Sequence, residues 1–429
     1  RDLHSFPTRR SSDLAAPSAA LLSHDAAVLG LLAGTLGFVF WGAARPAGFW
    51  RRFYAVVPAL LPCYLLPALY HSAGLIDGHA SGLYAVARDY LLPTALVLLT
   101  VAADLRGILR LGPKALALFL TGTVGVMLGA VVSFLTLRAL HPSTVAGEVW
   151  RGMSTLAGSW IGGGANQAAM KEVFAVDATL FGQFVAVDVL VASAWMAVLL
   201  FLAGRASAFD RWTGADTSAL DALRTRIERL QTEQTRPPGL PDLMIILGVG
   251  FGATGLAHFL TGPIVGWVRG LPPEWRLQDY SLTAGFFWVV LLATTFGLLL
   301  SFTRARHLEG AGASRLGSAM LYLLVATIGM QMDLRALLDR PWLFLLGVIW
   351  MLTHAGLLLI VAKLLRAPLF FLAVGSQANI GGAASAPVVA SAFHPALAPV
   401  GVLLAVLGYA LGTYGGYVVG VTLRLLAGG

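Results

Sequence analysis

The strongest constraint in this chain is a succession of apolar stretches, each close to the length of a membrane crossing and separated by charged turns. A helix needs about 20 apolar residues to cross the hydrocarbon of a bilayer. Such stretches run over 26–44, 53–70, 90–103, 115–137 and 181–202, and again over 243–268, 282–302, 318–332, 342–365 and 399–426. Only 12% of residues are charged, about half of what a soluble chain carries. The chain is therefore expected to be an all-α polytopic membrane protein.

Two further stretches are apolar yet cannot be regular helices. One lies within 153–174 and contains Gly158-Ser-Trp-Ile-Gly-Gly-Gly-Ala-Asn-Gln167; the other lies within 369–392 and contains Gly375-Ser-Gln-Ala-Asn-Ile-Gly-Gly382, then Ser385 and Pro387. Consecutive glycines oppose helix formation by their backbone entropy, and every polar group at that depth needs a partner. Gly158 and Ser159 precede Gly375 and Ser376 by 217 residues in both cases. Polar, glycine-broken segments at matching places in two halves point to the binding site of a transporter.

A polar, arginine-rich and proline-ended linker, 205–241, divides the chain. This gives a first membrane repeat at 15–204 and a second at 242–429. Within the linker, 217–231 reads as a short surface helix. Residues 1–14 resemble translated sequencing-adapter sequence and are expected to be foreign to the native chain. The single cysteine, Cys63, permits no intrachain disulfide and reads as a small buried hydrophobe.

Basic residues cluster at Arg45–Arg52, Arg106–Lys114, the linker, Arg304–Arg315 and Lys363–Arg366. Placing all five on the cytoplasmic side requires each half to have about five crossings plus one re-entrant segment. The halves are then inverted, with both chain ends outside. A broken helix that still crosses is the competing geometry.

The stretch Gly158–Asn166, followed by Lys171-Glu172, Asp188 and Trp195-Met196, resembles the YjcL-like family of bacterial integral membrane proteins, a group of unknown function. Ser376–Gly382 and Leu407-Gly-Tyr-Ala-Leu-Gly412 extend the resemblance through the second half. It implies no settled activity. By analogy its architecture is similar to that of sodium/glutamate symporters and, more distantly, bile-acid sodium symporter-type carriers, with glycine-rich broken segments at the transport site.

The candidate substrate- and ion-binding residues are Ser159, Gly162, Gly163, Asn166, Gln167, Asp188, Ser376, Gln377, Asn379, Gly381, Gly382 and Ser385. Asp188, Asn166 and Asn379 are candidate Na⁺ ligands. Hydroxyl and amide oxygens beside broken backbone suit a desolvated cation; the alternative is that they only satisfy loose helix ends. Asp188 sits between Val187 and Val189, and a carboxylate at such depth marks ion or proton pathways by default. His258 and His354 read as hydrogen-bonded packing histidines, Lys171 and Glu172 as an interfacial pair, and Asp104 and Asp333 as turn or cap residues. Gly408, Gly412, Gly416 and Gly420 recur at one-turn spacing and form a smooth packing face.

No nucleotide-binding glycine motif, zinc-protease motif or nucleophile elbow is present, so no enzyme activity and no cofactor is expected beyond Na⁺ or H⁺ as coupling ion. Expected partners are the lipid bilayer, a small organic solute, anionic ones included, and optionally a second copy of the chain, but not nucleic acid. The expected function is ion-coupled secondary transport in the bacterial inner membrane; a cation/proton antiporter and a non-transporting scaffold are the alternatives.

Overall fold

The computed structural model describes residues 20–54, 57–103, 105–109, 111–215, 239–332, 340–394 and 397–428. The adapter-like segment, Asp104, Asp333 and the proposed linker helix 217–231 lie outside the described residues. The described chain is helical, with a single isolated bridge between Leu22 and Ile76.

The first half comprises α1 (Asp25–Ala43), α2 (Leu60–Ser72), α3 (Leu83–Val101), α4 (Pro113–Leu140), α5 (Val149–Val173), α6 (Ala178–Ala203) and the short α7 (Ala206–Thr213). The second comprises α8 (Leu240–Arg269), α9 (Gly285–Ser301), α10 (Ala313–Gly329), α11 (Trp342–Leu364), α12 (Leu369–Ile380), α13 (Gly382–Phe393) and α14 (Ala398–Ala427). Among the described residues, seven are long and apolar enough to cross a membrane: α1, α3, α4, α6, α8, α11 and α14. Helix α9 makes an eighth only with the adjoining turn Arg304–Ala311, which bends 95° from it. This is a multi-pass membrane protein.

Two elements differ from the sequence expectation. Helix α2 begins at Leu60, not at residue 53, and is only 13 residues long. Pro58 and Pro62 bracket its start, where a missing N–H is tolerated, and Pro67 is carried inside it. Helix α3 begins seven residues before Tyr90, through a π-helical turn, Ala87–Leu91. Arg88 and Asp89 enter the helix because they neutralise each other, Nε to Oδ1 at 2.7 Å.

Helix α5 folds back on itself. At Gly162 the backbone leaves helical geometry (φ −143°, ψ 17°), and at Gly163 it turns left-handed (φ 74°, ψ −176°). A Cβ built on Gly158 would lie 2.7 Å from the carbonyl oxygen of Asn166, eight residues on; in a straight helix those residues would be about 12 Å apart. At the base of this hairpin the rings of Trp150 and Phe174 meet edge to face at 5.6 Å, and Arg151 Nη1 donates to the Phe174 carbonyl. Helices α12 and α13 form the second hairpin. Gln377 Nε2 donates to Ser385 Oγ at 2.7 Å, and Phe370 meets Phe393 at 5.4 Å across the base. Its tip is Gly381-Gly382, with Gly382 at φ 58°.

Both hairpins lie on α14. Cβ atoms built on Gly420, Gly416 and Gly412 would strike, in turn, Phe174 and Ser154, Met170 and Gly158, and Asn166 and Gly162. Gly408 faces the carbonyls of Ile161 and Ala378, and Gly401 faces Ala386 and Pro387. The first hairpin thus descends from the C-terminal end of α14 and the second from its N-terminal end. Their tips meet: a Cβ on Gly382 would lie 3.8 Å from Gly163 Cα.

Polar contacts define the two ends of the molecule. At one end Lys114 Nζ donates to the Arg366 carbonyl at 2.9 Å, Lys363 to the Trp212 carbonyl, and Leu369 N–H to Asp210 at 2.8 Å. At the other, Arg138 donates to the Leu426 carbonyl at 2.6 Å, and His141 stacks on Trp342 at 4.6 Å. The helices divide into two bundles. One holds α4, α6, α11, α14 and both hairpins; the other holds α1, α2, α3, α8, α9 and α10. Hydroxyl pairs Thr294–Thr413 at 3.0 Å and Thr295–Tyr414 at 2.9 Å join them along α9 and α14.

Candidate functional site

Asp188 projects from α6 against both arms of the first hairpin. Its Oδ2 accepts from Ser159 Oγ at 2.6 Å and from Gln167 Nε2 at 3.2 Å, and its Oδ1 accepts from Trp160 Nε1 at 2.7 Å. The carboxyl group is buried, with the residue 6% exposed. All three donors are neutral. Among the described residues no side-chain cation cancels the charge of this buried carboxylate, which hydrogen bonds offset only in part. Lys171, on the same arm of the hairpin as Gln167, is engaged elsewhere: it bonds Tyr84 Oη and Glu172 Oε1, the latter at 3.0 Å, forming a buried cluster near the hairpin base.

Asn166 and Asn379 make the same three bonds in two places. Asn166 Nδ2 donates to the carbonyl of Gly162, four residues back, and to that of Tyr409; its Oδ1 accepts from Thr413, at distances of 2.8, 3.1 and 2.6 Å. Asn379 Nδ2 donates to the carbonyl of Gly375, four residues back, and to that of Phe119; its Oδ1 accepts from Thr123, at 2.9, 3.0 and 2.8 Å. Each amide thus caps a carbonyl of its own hairpin, four residues back, and grips a neighbouring helix at a carbonyl and at the threonine one turn further on. Grouped by sequence with Asp188 as Na⁺ ligands, both amides act in this conformation as joints between helices.

These joints give a direct prediction. Asn166→Ala and Thr413→Val are each expected to destabilise by about 1–3 kcal/mol through a stranded partner. The double variant is expected to lose about 1 kcal/mol less than the sum, and the pair Asn379→Ala with Thr123→Val to behave alike. Denaturant unfolding in mixed micelles measures this; strict additivity would show that the bonds do not couple.

The remaining candidates fall into two groups. Ser376 accepts from Trp195 Nε1 at 2.8 Å and lies 2.8 Å from His354 Nε2. His354 Nδ1 contacts the Gly122 carbonyl at 2.9 Å. A carbonyl only accepts, so Nδ1 carries the proton and Ser376 donates to Nε2. Gln377 and Ser385 bridge the arms of the second hairpin. The twelve candidate residues are therefore not one cage: they are two glycine tips, two amide joints, a serine hydrogen-bonded to His354, a glutamine–serine bridge and the Asp188 cluster.

Three buried polar atoms among the described residues lack a partner: Gln167 Oε1, Gln377 Oε1 and Tyr64 Oη. Among these residues no three His, Cys, Asp or Glu side chains cluster as a metal site. Sequence reasoning passed over Trp160, Thr123, Thr413 and Tyr64. Trp160 alone carried a signal, an indole N–H that needs an acceptor inside an apolar stretch.

The chain matches the family model described as "Protein of unknown function (DUF819)" over residues 30–426. It is also similar to the uncharacterized membrane protein YjcL of Bacillus subtilis (strain 168), with 25% identity over 403 residues, 90% of this chain and 95% of that protein. The family match covers nearly all of the membrane region, both hairpins and Asp188, and the chain belongs to the DUF819 family of proteins of unknown function.

Proposed function

We propose that this chain is an ion-coupled secondary transporter of a small organic solute, working by alternating access in the bacterial inner membrane. The observation that carries this reading is the pair of glycine-tipped hairpins that enter from opposite ends of α14 and meet near its middle. Broken helices that meet at mid-membrane place backbone carbonyls and N–H groups where an ion and a solute can be held without lipid contact. On this reading the halves 15–204 and 242–429 are inverted repeats. The crossings of the first are α1, α2, α3, α4 and α6, and those of the second α8, α9, α10, α11 and α14. Lys114, Arg205, Arg211, Lys363 and Arg366 then share the cytoplasmic side with the linker 205–241, as the positive-inside tendency requires. The bundle holding the hairpins moves against the other, and Asp188 supplies the charge that couples an ion to the movement. The chain is a carrier and not a catalyst.

Uptake into proteoliposomes tests this. With an inward Na⁺ or H⁺ gradient, at least one member of a panel of labelled small organic acids is expected to accumulate, and Asp188→Asn to abolish accumulation while the protein remains folded. Gradient-driven ion flux with no solute uptake would favour an antiporter centred on Asp188. Normal uptake by Asp188→Asn would remove Asp188 from the mechanism.

A further inference from the structure

The polar atoms without partners are not scattered. Gln167 Oε1 belongs to the amide whose Nε2 already holds Asp188. Tyr64 Oη belongs to α2, in the other bundle, where Leu60, one turn before Tyr64, lies 3.9 Å from a Cβ built on Gly164 of the first hairpin. The ring of Tyr64 lies 6.1 Å from that of Phe181. Phe181 stands seven residues before Asp188, so both occupy one face of α6. Tyr64 and Gln167 are both fully buried. A buried hydroxyl and a buried amide oxygen without partners are each destabilising; here the amide bonds the Asp188 carboxylate through its nitrogen, and the hydroxyl belongs to a ring packed beside Phe181 on the same helix as Asp188.

We propose that Asp188, Gln167 and Tyr64 bind one alkali-metal cation, and that Tyr64 is the ligand through which this ion ties the two bundles together. The inference rests on the carrier reading and adds to it the identity of the ligands and the mechanical role of the ion. A single carboxylate with neutral oxygens matches one monovalent charge. A divalent ion calls for more carboxylates, and the ligand oxygens are the hard donors that alkali cations prefer. The charged groups packed nearby do not replace the ion. Lys171 is taken by Glu172 and Tyr84, and Arg88 is taken by Asp89. Occupancy brings Tyr64 on α2 and the hairpin bundle to a common centre, so ion binding and bundle closure become one event.

The purified full chain in detergent is titrated with NaCl, and separately with KCl, against choline chloride at fixed ionic strength and pH. A saturable rise in Tm with at least one alkali cation is expected. Tyr64→Phe should raise the half-saturating concentration about tenfold, the equivalent of one lost polar ligand. It should also raise the Tm of the cation-free protein, because it deletes an unsatisfied buried hydroxyl. Asp188→Asn should abolish the cation response. Cys63, buried and adjacent to Tyr64, reports on the same event without any variant: the cation that raises Tm should slow its labelling by N-ethylmaleimide. A wild-type titration curve in Tyr64→Phe, with the response lost in Asp188→Asn, would overturn the role of Tyr64 and leave the carrier reading intact. Cation-independent labelling of Cys63 would overturn the tie between bundles. No alkali response in the wild type would overturn the site altogether; proton-driven uptake would then still stand or fall on the proteoliposome measurement.

Discussion

Asp188→Ala is expected to lower stability by about 2–4 kcal/mol. The substitution strands three buried donors, Ser159 Oγ, Trp160 Nε1 and Gln167 Nε2, which lose bonds of 2.6, 2.7 and 3.2 Å. Each unsatisfied donor costs about 1–3 kcal/mol. The opposing term is relief of the desolvation of the carboxylate, itself several kcal/mol, which holds the net figure below the sum of three donors. Asp188→Asn should cost less, because its amide keeps one acceptor oxygen, but its NH₂ then faces at least one of the three donors. SDS or urea unfolding in mixed micelles provides the measurement, and intrinsic fluorescence follows Trp160, whose ring meets that of Trp350 at 5.4 Å. A change smaller than about 0.5 kcal/mol for Asp188→Ala would place it with ordinary surface substitutions and show that the cluster does not hold the first hairpin.

Gly412→Val should be worse, with a loss of about 3 kcal/mol or more and little folded protein recovered from membranes. A Cβ at Gly412 would sit 2.6 Å from Asn166 Nδ2 and 2.7 Å from Gly162 Cα. Gly162 Cα is backbone at the turn of the hairpin and cannot rotate aside. The hairpin would have to lift from α14, breaking the Asn166–Thr413 bond and separating the tips. Gly248→Val provides the control. Gly248 also lies in a long apolar helix, but a Cβ there meets nothing within 4 Å, so its expected effect is within about 0.5 kcal/mol. Equal yields of the two variants in detergent extracts would refute the close packing of hairpin on helix.

Much of this arrangement can be read from residues. Apolar length located most of the spanning helices, and glycine runs flanked by amides located both hairpins. The one-turn recurrence of Gly408, Gly412, Gly416 and Gly420 announced a face for close backbone approach, and the first hairpin occupies it. What sequence could not supply was pairing across long separations. Gly158 and Gly375 look equivalent in sequence, at 217 residues apart, but the tips at Gly163 and Gly382 are 219 apart. Asn166 follows its tip while Asn379 precedes its own, so two amides with identical bonding sit on opposite arms. Thr413 and Thr123 are ordinary helix residues until the amides reach them from 247 and 256 residues away. Arg88 and Asp89 look like the end of an apolar stretch because charge was counted singly; as a neutral pair at a π-turn they belong inside the helix. Tyr64 carried no local signal, because an aromatic in an apolar helix reads as packing and its lack of a partner is a property of the fold.

Helix α14 follows every other described helix in the sequence, and biosynthesis runs in that order. The first hairpin is threaded into the membrane with its broken backbone, its amide and its glycine face prepared for a helix that does not yet exist. Asn166 must wait for Thr413, 247 residues later, which at about 5–20 residues per second is roughly 10–50 s of translation. During that interval the hairpin is a polar segment in a half-built membrane protein, and only α14, residues 398–427, can complete it. A premature stop before α14 therefore does not yield a protein that merely lacks one helix. It orphans the hairpin at 149–173, far upstream in the sequence, and exposes it to membrane quality control.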